Sequence, residues 1–120
     1  MMKRKDITRY FALIEHNLNA RIFVGFHSHN NLQLAYSNAL ALLDMRSGRD
    51  LIIDSSVYGM GRGAGNLNTE LFINHLNSEF NSGYDLKPIL YIMDEFINQF
   101  YQKSPWGYSL PNYLSATHNA

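Results

Sequence analysis

His27 and His29 stand two residues apart, directly after the run Ile22, Phe23, Val24, Gly25, Phe26. In an extended chain side chains alternate between faces, so residues two apart turn toward the same space. A neutral imidazole offers a ring-nitrogen lone pair to a divalent cation, and two at one strand end make half of a metal site. The other reading is a pair of hydrogen-bonded strand-end histidines. Further on, Gly59, Gly61, Gly63 and Gly65 form a GxGxGxG loop that runs into Asn66. Such a backbone either folds tightly or presents successive N–H groups to an anion. The lysine of a phosphate-binding P-loop is missing and the spacing is not GxGxxG, so nucleotide binding is not indicated. Arg62 can clamp a carboxylate or stay solvated, and with Gly61 and Gly63 it is the candidate substrate contact. Asp54 reads as a strand-end residue fixing the next loop, and His16 and His75 as surface residues of helices.

The elements that would hold these residues follow from periodicity. Residues 6–17 carry Ile7, Tyr10, Phe11, Leu13 and Ile14 near helical spacing, which predicts an amphipathic helix. Residues 21–29 read as a strand buried on both faces. Asn30 and Asn31 then supply N-caps for a helix through Leu43, stopped at Ser47 and Gly48. Leu51, Ile52 and Ile53 form a second strand, ending in polar Asp54, Ser55 and Ser56. Strand, helix, strand at this spacing is a βαβ unit, which makes the sheet parallel. Helices are expected over residues 68–80 and 86–102. The tail, 104–120, contains Pro105 and Pro111 and is expected to be irregular.

Bulk properties narrow the function classes. With 120 residues the chain is at most one domain. Apolar residues make up 46% and charged residues 17%, and no apolar run approaches the roughly 20 residues that cross a bilayer. Ten basic residues balance ten acidic ones, and the cluster Lys3, Arg4, Lys5 is too short to track nucleic acid. No nucleic-acid or membrane partner is expected. Without cysteine there is neither a disulfide framework nor a thiolate site. The N-terminus lacks the apolar core of a signal peptide, so a cytoplasmic location is expected.

The segments GFHSHNNLQLAYSNALALL, Gly25 to Leu43, and IDSSVYGMGRGAGNLNTELFI, Ile53 to Ile73, resemble the C-terminal half of the DRE-TIM metallolyases, an HMGL-like family. The likeness is greatest to the 4-hydroxy-2-oxovalerate aldolase branch. The HxHN signature stands as His27, Ser28, His29 and Asn30, and the glycine-rich loop as Gly59 to Asn66. The resemblance implies an α/β fold that is the C-terminal part of a TIM (β/α)8 barrel, about two parallel strands with flanking helices plus a helical extension. Residues 1–103 would be the last βα units and 104–120 the tail. The family's first-strand motif, with its Arg and metal-binding Asp, has no counterpart here, and the chain is expected to be a fragment of the full enzyme.

By the same resemblance His27 and His29 are metal ligands near the end of the seventh strand, with Asn66 a further ligand or a neighbour of one. Tyr113, or second to it Tyr108, matches a tyrosine near the reacting hydroxyl. The implied chemistry is cleavage of a 4-hydroxy-2-oxo acid to pyruvate and an aldehyde through a metal-stabilised enolate. The mixed nitrogen and oxygen donors suit Mn2+ or Mg2+. An acyl-CoA lyase or Claisen-condensing synthase of the same family is the nearest alternative, and a noncatalytic assembly module the one from another class. Expected partners are a small 2-oxo acid and either a second copy or the rest of the barrel.

Overall fold

The computed structural model describes residues 2–118; Met1, Asn119 and Ala120 lie outside the described residues. Helix α1, Arg4–Asn17, forms because Ile7 and Phe11, one turn apart, both enter the core. Its N-terminus is closed by Asp6, whose carboxylate accepts from the Lys3 N–H at 2.9 Å. Strand β1, Val24–Phe26, pairs in parallel with β2, Leu51–Ile53, in the register Val24 to Leu51, Gly25 to Ile52 and Phe26 to Ile53. Helix α2, Ala35–Asp44, is the crossover between them.

Two local expectations are corrected. The strand expected over 21–29 pairs only over its centre. Before it, Asn19 captures the N–H groups of Arg21 and Ile22, through its side chain and its carbonyl, and turns the chain. Nor does α2 begin at Asn30 or Asn31. The Gln33 N–H donates to the Asn30 carbonyl at 2.9 Å, and Gln33 takes φ of 59°, so a turn intervenes and Leu34 holds the cap position.

One face of the two strands is covered. Val24, Phe26, Leu51 and Ile53 pack on Ile7 and Phe11 of α1 and on Ala41 and Leu42 of α2. A second cluster joins Ala35 and Ala39 to Leu67 and to Phe72 of α3, Thr69–Phe80. The alternate residues, Gly25 and Ile52, point the other way and are exposed, Ile52 to 53%. The radius of gyration is 15.6 Å, against about 13.6 Å for a compact chain of this length. The fold is a helix layer on a short parallel sheet whose opposite face is open.

A buried cation anchors the entrance to both strands. The Arg49 guanidinium donates to Glu15 at 2.6 Å, and to the carbonyls of Leu18, Asn19 and Ile22 at 3.0, 2.7 and 2.6 Å. These bonds tie the end of α1 and the turn before β1 to the start of β2.

Beyond α3, helical structure runs through α4, Lys87–Ile92, a π-helical segment, Met93–Ile97, and α5, Asn98–Lys103. The tail expected to be irregular contains a helix, α6, Leu110–Thr117. Pro111 lies in its first turn, where a proline removes no helical hydrogen bond, and the Ser109 hydroxyl caps it by accepting from the Asn112 N–H at 3.3 Å.

Candidate functional site

Alternation along β1 continues past its last paired residue. Gly25, His27 and His29 are exposed, whereas Phe26 is half-buried and Ser28 buried. The two imidazoles therefore emerge on the open face, with ring centroids 5.0 Å apart and planes crossed at 77°. Parallel pairing puts the residue after β2 beside the residue after β1. Asp54 donates its N–H to the Phe26 carbonyl at 3.0 Å, and its carboxylate lies 3.0 Å from Nδ1 of His27.

The glycine loop reaches the same strand end. His29 and Asn66 form an antiparallel backbone bridge, and the Asn30 N–H donates to the Gly65 carbonyl at 2.9 Å. An open cleft of about 450 Å³ is lined by His27, Ser28, Ile53, Asp54, Ser55 and Asn66. Asn66 is held there by its own side chain, which donates to the Met60 carbonyl at 3.2 Å. Gly61 makes room for this arrangement, since a Cβ on it would stand 2.5 Å from Asn66 Nδ2.

The loop is a folded turn with much of its donor capacity committed. The N–H groups of Gly59, Met60, Gly65 and Asn66 bond to the carbonyls of Ser56, Val57, Arg62 and Gly59. Gly63 turns outward, and its carbonyl accepts from the Gly107 N–H at 3.0 Å. Arg62 is exposed and does not line the histidine cleft.

The tail docks on this loop. Trp106 Nε1 donates to the Tyr58 carbonyl at 3.0 Å, and the Tyr58, Tyr101 and Trp106 rings pack edge to face or tilted at 5.1 to 6.0 Å. Tyr108 lines a neighbouring cleft with Asn30, Gln33, Tyr58 and Trp106. Tyr113 contacts the Tyr108 ring at 6.3 Å. Both tyrosines are thus on the glycine-loop side of the molecule and outside the histidine cleft.

His27, His29 and Asn66 are brought together, while Arg62, Tyr108 and Tyr113 are not brought to them. Sequence reasoning missed Asp54 as a member of the cluster. The contact follows from the register, Phe26 beside Ile53, which sets the first polar residue after each strand against the other.

The donor types fit a divalent cation: two imidazoles exposed on one face, with a carboxylate 3.0 Å from Nδ1 of one of them. Among the described residues no three His, Cys, Asp or Glu side chains are grouped closely enough to hold a metal ion.

A parallel α/β unit with histidines and a carboxylate at the carboxyl ends of its strands defines a class in which ligands gather at that edge. The chain belongs to the HMGL-like family, whose model matches residues 1–95. It is 37% identical over 93 residues to a 4-hydroxy-2-oxovalerate aldolase of Pseudoalteromonas translucida. It is 33% identical over 95 residues to one of Pseudomonas putida, each match covering 77% of this chain and 26% of the relative. Over 98% of its length it superposes on the N-terminal domain of a candidate aldolase from Bacteroides vulgatus, with a TM-score of 0.86, 34% identity and coverage of 38% of that chain. The chain thus spans about a quarter of the curated relatives it matches.

Proposed function

We propose that this chain forms the last βα units of a (β/α)8 barrel in a divalent-metal aldolase that cleaves 4-hydroxy-2-oxo acids to pyruvate and an aldehyde. The observation that carries the reading is the placement of His27 and His29, adjacent and exposed on the uncovered sheet face, within a segment similar to enzymes named for that reaction. In a barrel that face looks inward, which accounts for an exposed Ile52 beneath a polar cluster.

In retro-aldol cleavage the bond between C3 and C4 breaks, the 4-hydroxyl loses its proton as C4 becomes the aldehyde carbon, and the electron pair stays on C3 as an enolate that takes up a proton to give pyruvate. A divalent cation, Mn2+ or Mg2+, held by His27 and His29 would stabilise the negative charge developing on the 2-oxo acid. Asn66, beside them, serves as a further ligand or as a hydrogen-bonding neighbour. Arg62, with the Gly61 and Gly63 backbone, would receive the substrate carboxylate once the loop is covered. Tyr113 or, second to it, Tyr108 would relay the hydroxyl proton. The rest of the barrel, supplied by another chain or by further sequence, would exclude water and complete the ligand shell.

The test is complementation. The barrel portion of the Pseudoalteromonas translucida relative that this chain does not match is expressed, mixed with this chain and Mn2+, and assayed for pyruvate from 4-hydroxy-2-oxovalerate. Activity confined to the mixture and lost with His27→Ala supports the proposal. Condensation of acetyl-CoA with 2-oxo acids instead of cleavage would favour the Claisen alternative, and equal activity with His27→Ala would refute the site.

A further inference from the structure

The contact between His27 and Asp54 constrains which ring nitrogen of His27 is free. An ionised carboxylate can only accept a hydrogen bond, so the 3.0 Å approach of Asp54 Oδ2 to Nδ1 requires the proton on Nδ1. A neutral ring so protonated carries its lone pair on Nε2, at the far side from Asp54. The edge-to-face approach of the His29 ring, at 5.0 Å, puts the second imidazole beside the same ring.

The pairing is built into the backbone. Register aligns Phe26 with Ile53, and the bond from the Asp54 N–H to the Phe26 carbonyl extends the ladder by one step. The side chains of His27 and Asp54 therefore project from adjacent strands at the same level. Their side chains are 58% and 59% exposed, so the contact adds little to folding stability. Its consequence lies in the orientation and tautomer of one ring.

We propose that Asp54 is a positioning residue for His27, holding the ring as the Nδ1–H tautomer and presenting Nε2 to the space shared with His29. The purpose of that arrangement rests on the metal reading above, whereas the tautomer itself is independent of it. In metal sites a carboxylate behind a histidine typically changes affinity by about ten- to a hundredfold.

Long-range 15N–1H correlation spectra of the full 120-residue chain, metal-free and at alkaline pH, report the tautomer of each histidine. The expected result is an Nδ1–H signature for His27, lost toward the Nε2–H form in Asp54→Ala and retained in Asp54→Asn, whose side-chain carbonyl still accepts. Mn2+ titration of the same three proteins should then give weaker binding for Asp54→Ala by about tenfold or more, with Asp54→Asn close to the parent. An Nε2–H ring in the parent chain, or a tautomer unchanged in Asp54→Ala, would overturn the proposal. If Asp54→Ala does not fold, unequal tautomers of His27 and His29 in the parent and in Asp54→Asn carry the test, and an Nε2–H His27 in both overturns it. A tautomer that responds in a parent chain that binds no Mn2+ would uphold the positioning role and count against the metal reading alone.

Discussion

His29 and Asn66 are joined through their backbones, so the strand end that carries the imidazoles and the end of the glycine loop move as one unit. The neighbouring bond from the Asn30 N–H to the Gly65 carbonyl fastens Gly65 to the same strand end. Gly65 has φ of +83°, and a Cβ there would collide with the Gly59 carbonyl. Gly48 has nearly the same backbone, φ of +80°, with nothing near its missing Cβ.

These two glycines separate strain from collision. Gly48→Ala should cost about 1–2 kcal/mol, the price of a left-handed residue alone. Gly65→Ala should cost clearly more, because the loop must also shift away from a backbone oxygen. Urea denaturation of both variants decides it, and equal losses would mean that the Gly59 contact is easily relieved.

Arg49 gathers Glu15 and three carbonyls around a guanidinium whose side chain is 3% exposed. Replacing it with Met leaves those acceptors without their donor, and a loss of about 1–3 kcal/mol is expected. Arg49→Lys should recover only part, since an ammonium cannot span acceptors arranged around a planar fork. A urea midpoint for Arg49→Met within error of the parent would show that water replaces these bonds at little cost.

The uncovered sheet face should drive association. Both strands also present an unpaired edge among the described residues, and an apolar groove lined by Ile14, Val24 and Phe26 runs beside β1. Sedimentation at low micromolar concentration is expected to give species larger than the monomer, with Ile52→Lys shifting the distribution toward monomer. A parent chain that sediments as a single compact monomer would contradict this.

Much of this arrangement was legible in the sequence, for identifiable reasons. Helix α1 and strand β2 each carry an unambiguous period or run, and His27 and His29 share a face by alternation alone. Three features were hidden because they depend on tertiary partners. The start of α2 is displaced by the turn at Asn30–Gln33, so the Asn30 side chain meets the helix only across that turn, accepting from the Ala35 N–H at 3.4 Å. The tail helix was masked by counting Pro111 as a breaker, although Ser109 and the first-turn position make it compatible. The pairing of Asp54 with His27 required the register of two strands separated by a helix, which no local pattern records.

On the proposed function, His27 and His29 are ligands of one divalent cation. Mn2+ added to the 120-residue chain and followed by electron paramagnetic resonance tests it most directly, because the signal of free Mn2+ falls as the ion is bound. Saturable but weak binding is predicted, one ion per chain, abolished in His27→Ala and His29→Ala separately. Binding that persists unchanged in the double variant, or that is lost in neither single variant, would rule out a cation shared by the two imidazoles.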